Sequence, residues 1–411
     1  MLNVVAESYV RLALAVGQHD RDYVDAYYGP TAWKIEAESA AIALPEIERR
    51  ANSLLAELGD GLVSDAPEIV RLRHAHLRRQ LMSMVTRVKM LQGARLSFDD
   101  EARALYDVTP PTHTEEHFRE LVERLESEMP GEGPVPARYV VYRSHFIIPA
   151  DRLNAVFQTA ITAGRERTSR CVALPADESF VIEYVRDRPW SGYNWYKGGY
   201  HSVIQVNTSL PIYIDRAIDL ACHEGYPGHH VYNALLEQHL VRARGWPEFS
   251  VYPLFSPQSL IAEGSANYGI EMAFPGAERV AFERDILFPL AGLPAAEAAE
   301  YYRVQDLVHQ LSYAGNEAAR QYLNGEIDAP AAAAWLERYA LMAPAAARQR
   351  IRFFDAYRSY VINYNVGQDL VKAYVERAAG PNAMADDRWR IFARLLASPR
   401  LPSDLQRSSE R

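Results

Sequence analysis

Hydrophobic positions along this 411-residue chain recur mostly at three-and-four spacing, the period that lines one face of an α-helix. Leu2 to Val16, Pro45 to Leu58, Ala66 to Leu91 and Thr114 to Glu128 read as helices, punctuated by turn signals such as Tyr28-Gly29-Pro30 and Gly59-Asp60-Gly61. The segment Met129 to Pro136, rich in Pro and Gly, reads as a linker. It divides the chain into an N-terminal helical region, 1–135, and a second region, 136–411, expected to pack together as one unit. Arg138 to Ile148 reads as a strand and Asp151 to Arg167 as an amphipathic helix. Phe180 to Val185 and His201 to Val206 are β-rich and bracket an aromatic loop, Asp187 to Tyr196, which suggests a small sheet. From Pro211 onward the pattern is helical, including Pro257 to Ala273 with Ser256 in the N-cap position. The expected fold class is therefore mainly α with one small β-sheet.

The densest chemistry lies at Ala221-Cys222-His223-Glu224-Gly225-Tyr226-Pro227-Gly228-His229-His230. Zinc hydrolases with an H-E-x-x-H helix hold the metal on two imidazoles one turn apart and use the intervening Glu as general base. Here Pro227 occupies the position one turn after His223. On a straight helix His229 would lie about 120° round and about 9 Å along from His223, and His230 about 10.5 Å along. Neither could share an ion at bonds of about 2.0 to 2.1 Å. Pro227 interrupts the helix and Gly228 accepts unusual dihedrals, which predicts a break at Tyr226 to Gly228 that swings His229 back towards His223. His230 is the reserve ligand should the backbone turn the other way. Asp219 and Asp215, one and two turns before His223, are candidates to orient an imidazole, or form a solvated acidic stripe.

His223 to His230 resembles the H-E-x-x-P-G-H-H hallmark of the bacterial family called domain of unknown function 885, a relative of zincin-like metallopeptidases. Val206-Asn207-Thr208 before the motif helix, Glu263-Gly264-Ser265-Ala266-Asn267-Tyr268 after it, with Ser in a Trp position, and Tyr364-Asn365-Val366-Gly367 are similar to further family elements. The resemblance spans roughly residues 140 to 375. It implies a zincin-like architecture with the sheet beside the motif helix. It further implies zinc held by His223, His229 and Glu263, with Glu224 as general base and acid. Small residues around Glu263 let its helix approach closely. Tyr364 is the implied oxyanion donor, with Tyr313 as rival. Arg358 is a candidate for a substrate carboxylate, and the strand ending at Asn207 for the substrate backbone. His201 and Cys222 read as structural, and the aromatic loop as either a binding wall or a satellite core.

The net charge of −9 argues against a nucleic-acid partner. Cys171 and Cys222 are too few for a disulfide framework. The N-terminus lacks a basic signal-like segment, and no run of about 18 apolar residues suggests a membrane span. The default location is the cytoplasm. The overall expectation is a zinc-dependent peptidase acting on a peptide or small amide, with the oligomeric state left open. A metal-dependent amidase on a non-peptide substrate and a non-catalytic zincin-like binding protein are the alternatives, the latter opposed by the presence of Glu224.

Overall fold

Apolar stripes become helices at Leu2–Val16, Leu44–Leu58, Glu68–Leu91 and Glu115–Glu128, within two residues of the expected bounds. The computed structural model describes residues 1–61, 65–129, 131–188 and 190–406. Pro130 of the expected linker and Pro189 of the aromatic loop lie outside the described residues. Among the described residues the chain is mainly helical with two small sheets. Among the described residues no helix is long and apolar enough to cross a membrane.

One expectation is overturned in the middle of the chain. Val135–Ser144 is a helix, not a strand. Pro136 suits a first helical turn, where its missing donor costs nothing. Val135 and Tyr139, one turn apart, bury against Phe118, Leu121 and Leu125, whereas a strand would bury alternate residues. Val141 is 61% exposed. Met129 and Val135 both belong to that buried cluster.

β1 (Val24–Tyr27) lies far upstream of β2 (Ser179–Val185), β3 (Gly192–Gly198), β4 (His201–Asn207) and β5 (Val251–Pro253). β1 pairs antiparallel with β5. The other sheet has the order β2-β4-β3, with β2 parallel and β3 antiparallel to β4. β3 falls inside the stretch read as a loop. Its side chains alternate, with Asn194 and Tyr196 buried and Tyr193, Trp195 and Lys197 on the other face. Aromatic residues favour that pleated, half-covered setting.

The largest core cluster joins Tyr9, Leu77, Leu81 and Met84 from the N-terminal helices to Leu260, Tyr360, Ile362 and Val366 from the C-terminal ones. Within it the helix Pro257–Ala273 crosses the helix Ile362–Ala379 backbone to backbone. A methyl group on Gly264 would lie 2.3 Å from the Gly367 carbonyl carbon, and one on Gly367 would lie 2.6 Å from the Leu260 carbonyl oxygen. That crossing brings Glu263 to the interior beside Tyr360 and Tyr364.

Gly264→Ala should therefore destabilise the protein by about 1–3 kcal/mol through overpacking. Gly315→Ala, at a helical site where an added methyl meets nothing within 4 Å, should stabilise it by about 0.5–1 kcal/mol. Urea unfolding of the two variants checks both signs.

Candidate metal centre

The motif begins on the helix Asp215–Leu220, which widens into a π-type turn over Ala221–Gly225. Tyr226 is extended, the Tyr226–Pro227 peptide is cis, and a new helix starts at His229. The Gly228 amide donates back to the Cys222 carbonyl at 2.9 Å. A methyl group on Gly228 would lie 1.9 Å from the His223 carbonyl oxygen, so only glycine fits this fold-back. The break expected at Tyr226 to Gly228 is present.

Its consequence is a close trio. His229 Nε2 lies 3.2 Å from His223 Nε2. Glu263 Oε2 lies 3.3 Å from His223 Nε2 and 3.7 Å from His229 Nε2. Ligands held tetrahedrally at about 2.0 to 2.1 Å from zinc stand about 3.3 to 3.4 Å apart, so these atoms have the spacing of three corners of a zinc site. The Glu263 Oε1 atom accepts from the Tyr360 hydroxyl at 2.7 Å, whereas Oε2 is buried with no hydrogen-bond partner. A buried carboxylate oxygen with no hydrogen-bond donor, beside two imidazole nitrogens, fits a ligand set for a cation. Burial pushes the Glu263 carboxyl up, but His223 and His229 outweigh it and hold the group well below the usual carboxylate range. Burial pulls the His229 imidazole down, and Glu263, Glu224 and Asp25 reverse this and raise it to about 9.

His223 is oriented by Asn267, one helical turn after Glu263 on the same face. Asn267 Nδ2 donates to the Tyr364 carbonyl at 2.8 Å, so its Oδ1, 2.9 Å from His223 Nδ1, must accept. That places the proton on Nδ1 and leaves the Nε2 lone pair facing His229 and Glu263. The expectation that Asp219 or Asp215 would do this fails, because arginines claim both. Asp219 pairs with Arg279 at 2.8 Å and Arg216 at 3.2 Å. Asp215 pairs with Arg143 at 2.9 Å and accepts from Tyr301 at 2.5 Å.

Glu224 shares the cluster, since ligand atoms of His223, Glu224 and His229 all lie within 4.8 Å of one another. It makes no contact with either ring as close as that of Glu263. Asn194 on β3 donates to the Glu224 carbonyl at 2.7 Å. Gly192 at the start of β3 packs directly on the motif helix, where a methyl group would lie 2.7 Å from Leu220 Cδ2 and 3.0 Å from Glu224 Oε1. Tyr364 borders the same space: burial raises its phenol, and the charges of Glu263 and Glu224 add to the shift.

Other candidates are placed elsewhere. His230 is fully buried facing away, with Nδ1 2.9 Å from Ser202 Oγ and Nε2 3.0 Å from Glu178. It is a structural residue and not the reserve ligand. Arg358 donates through Nε to the buried Glu101 at 2.6 Å, which removes it from the carboxylate-binding role. The Asn207 amide donates to the Arg188 and Trp190 carbonyls at 2.9 Å and its Oδ1 accepts from the Ser209 amide at 3.0 Å, so it ties down the aromatic loop and is not free for substrate. Tyr313 donates to Asp369 at 2.5 Å.

Sequence reasoning missed Asp25. It comes from β1, accepts from the Tyr193 hydroxyl, and lies within electrostatic reach of the trio. Burial pushes its carboxyl up to about 7; His229 opposes this, and Glu263 and Glu224 add to it. Nothing in the Asp25 neighbourhood of the sequence signals the site. Asn267 was signalled only by its one-turn spacing from Glu263.

No family model matches the chain and no curated protein matches it. Among solved structures, a putative lipoprotein from Colwellia psychrerythraea superposes with a TM-score of 0.53 at 15% identity, over 95% of this chain and 75% of that one. A putative lipoprotein of unknown function from Shewanella oneidensis gives a TM-score of 0.47 at 13% identity over 88% and 75%. The M32 carboxypeptidase from Deinococcus radiodurans R1 gives 0.39 at 14% identity over 100% and 94%. The first similarity is one of fold alone, and the other two carry no further weight.

Metal analysis of single variants tests the geometry. His223→Ala, His229→Ala and Glu263→Ala should each lose stoichiometric zinc. His230→Ala should keep the metal while losing about 1–3 kcal/mol of stability, because Glu178 and Ser202 lose a buried partner. Asn267→Ala should weaken zinc binding by about 10- to 100-fold, measured by competition with a chromophoric chelator.

Proposed function

We propose that the protein is a zinc-dependent hydrolase of amide bonds, a peptidase of zincin-like architecture, with zinc on His223, His229 and Glu263. The observation that carries this reading is the mutual spacing of the three ligand atoms, 3.2, 3.3 and 3.7 Å, around an otherwise unpartnered carboxylate oxygen. Two imidazoles and one carboxylate with an open fourth position form a recurrent catalytic zinc set. When bound, the ion would supply Lewis acidity that polarises the scissile carbonyl and acidifies water.

The chain's own residues would do the rest. Among the described residues no protein donor holds the Glu224 carboxylate, which leaves it available to take a proton from water and return it to the departing amine. The Tyr364 phenol stays protonated across the working range because burial and nearby carboxylates raise it. It can therefore donate to the oxyanion that develops on the carbonyl. Asn267 keeps His223 in the tautomer that presents Nε2. A purely binding protein would have no use for a free carboxylate at this position.

Zinc-loaded Glu224→Gln should retain its metal and lose kcat on a peptide library by about 100-fold or more, read by mass spectrometry of the products. Chelation should abolish the wild-type activity and added zinc restore it. Hydrolysis by the Gln variant at the wild-type rate would remove this mechanism.

A further inference from the structure

Among the described residues, five arginines carry an interior guanidinium nitrogen that makes no hydrogen bond: Arg138, Arg143, Arg320, Arg350 and Arg400. Four of them compensate through another nitrogen. Arg138 reaches Glu126 at 2.7 Å, Arg143 Asp215 at 2.9 Å, Arg320 Asp99 at 3.1 Å and Arg400 Glu68 at 2.9 Å. Arg350 has neither an ion pair nor a hydrogen bond among the described residues. It lies on a bed of rings, with Cζ 4.5 Å from the Phe353 centroid and 5.7 Å from that of Phe354. Burial lowers its pKa, and only the Tyr364 phenol offsets this. A half-buried cation without a counter-charge is costly. The chain has 53 acidic residues and satisfies even Arg358, eight positions on, with buried Glu101. The missing anion at Arg350 is therefore a feature of the site's surroundings.

Its place is next to the metal ligands. The Phe353 ring under the guanidinium lies 6.4 Å from the Tyr360 ring, which is 5.9 Å from Tyr364 and donates its hydroxyl to Glu263. Arg350 and Tyr364 also lie within electrostatic reach of each other, which puts the unpaired cation on the side of the oxyanion donor.

We propose that Arg350 receives the free α-carboxylate of the substrate, so that the bond cleaved is the amide adjacent to that carboxylate. The substrates are then N-acyl amino acids and peptides losing their C-terminal residue. This rests on the hydrolase reading above. One water is consumed and the C–N bond breaks, the acyl part leaving as a carboxylate and the terminal residue as a free amino acid. Arg350 is a specificity residue for the leaving half. Paired guanidinium–carboxylate contacts suit that recognition.

The test compares benzyloxycarbonyl-Gly-Phe with its C-terminal amide on zinc-loaded wild type, Arg350→Gln and Arg350→Lys. Wild type should prefer the free acid by about 100-fold in kcat/KM, the scale of losing one partner of a desolvated charge pair. Arg350→Gln should lose that preference mainly through KM, cleave the amide as wild type does, and melt no lower. Arg350→Lys should recover part of the preference. Equal cleavage of acid and amide by wild type, or an equal loss on both in Arg350→Gln, would overturn the assignment. If wild type cleaves neither compound, the hydrolase reading fails separately. Arg350 is then judged by thermal shift with benzyloxycarbonyl-Phe: stabilisation of wild type but not of Arg350→Gln supports it, and equal shifts reject it.

Discussion

A fold-back of six residues organises this protein. Because Gly228 has no side chain, its backbone can rest against the Cys222 and His223 carbonyls. The turn therefore closes and His229 returns to within 3.2 Å of His223. The same break presents Pro227 to the helix Pro257–Ala273. A methyl group on Gly269 would lie 2.9 Å from Pro227 Cγ, so that helix packs directly on the break. From that position it delivers Glu263 and Asn267, one turn apart, to the two rings. The crossing at Gly264 and Gly367 holds the helix from its other side and supplies Tyr360 and Tyr364. Each of these close approaches depends on a glycine because backbone meets backbone or ring with no room for a β-carbon.

Neighbouring histidines show how finely the break divides the interior. His229 and His230 differ by about 100° round their helix. One ring faces Glu263, and the other closes a buried network of Glu178, Tyr226, Arg165 and Ser202. That network is internally compensated, as is the one joining Asp215 and Asp219 to Arg143, Arg279 and Tyr301. The centre itself is not. Glu263, Glu224 and Asp25 converge on two imidazoles, and Glu263 keeps an unpartnered oxygen. Carboxylates paired in these two networks but left in excess beside the two imidazoles are the electrostatic form of a place for a cation.

Sequence and structure agree where the cause is local. The helices at Leu2–Val16 and Pro257–Ala273 were legible because their apolar or small residues repeat with the helical period and a proline or polar residue marks the start. The break was legible because Pro and Gly act on their own backbone. Even here a detail differs: Ser256 stands at the N-cap, yet its hydroxyl donates to the Pro253 carbonyl and does not cap the helix. Arg138 to Ile148 read as a strand because Val and Tyr favour pleated surfaces, and Val135–Ser144 is a helix because the cluster of Phe118 and Leu125 covers one helical face.

What the sequence alone determined, then, was the helical character, the backbone break and the residue types for a metal site, since these follow from periodicity and dihedral chemistry within a few neighbours. The tertiary structure decided which acid meets which base. Glu101 took Arg358, Arg279 took Asp219, Glu178 took His230, and among the described residues Arg350 was left without an ion pair. Such pairings join residues up to 257 positions apart, and a charge's role depends on the partner brought to it through space, which no local pattern encodes.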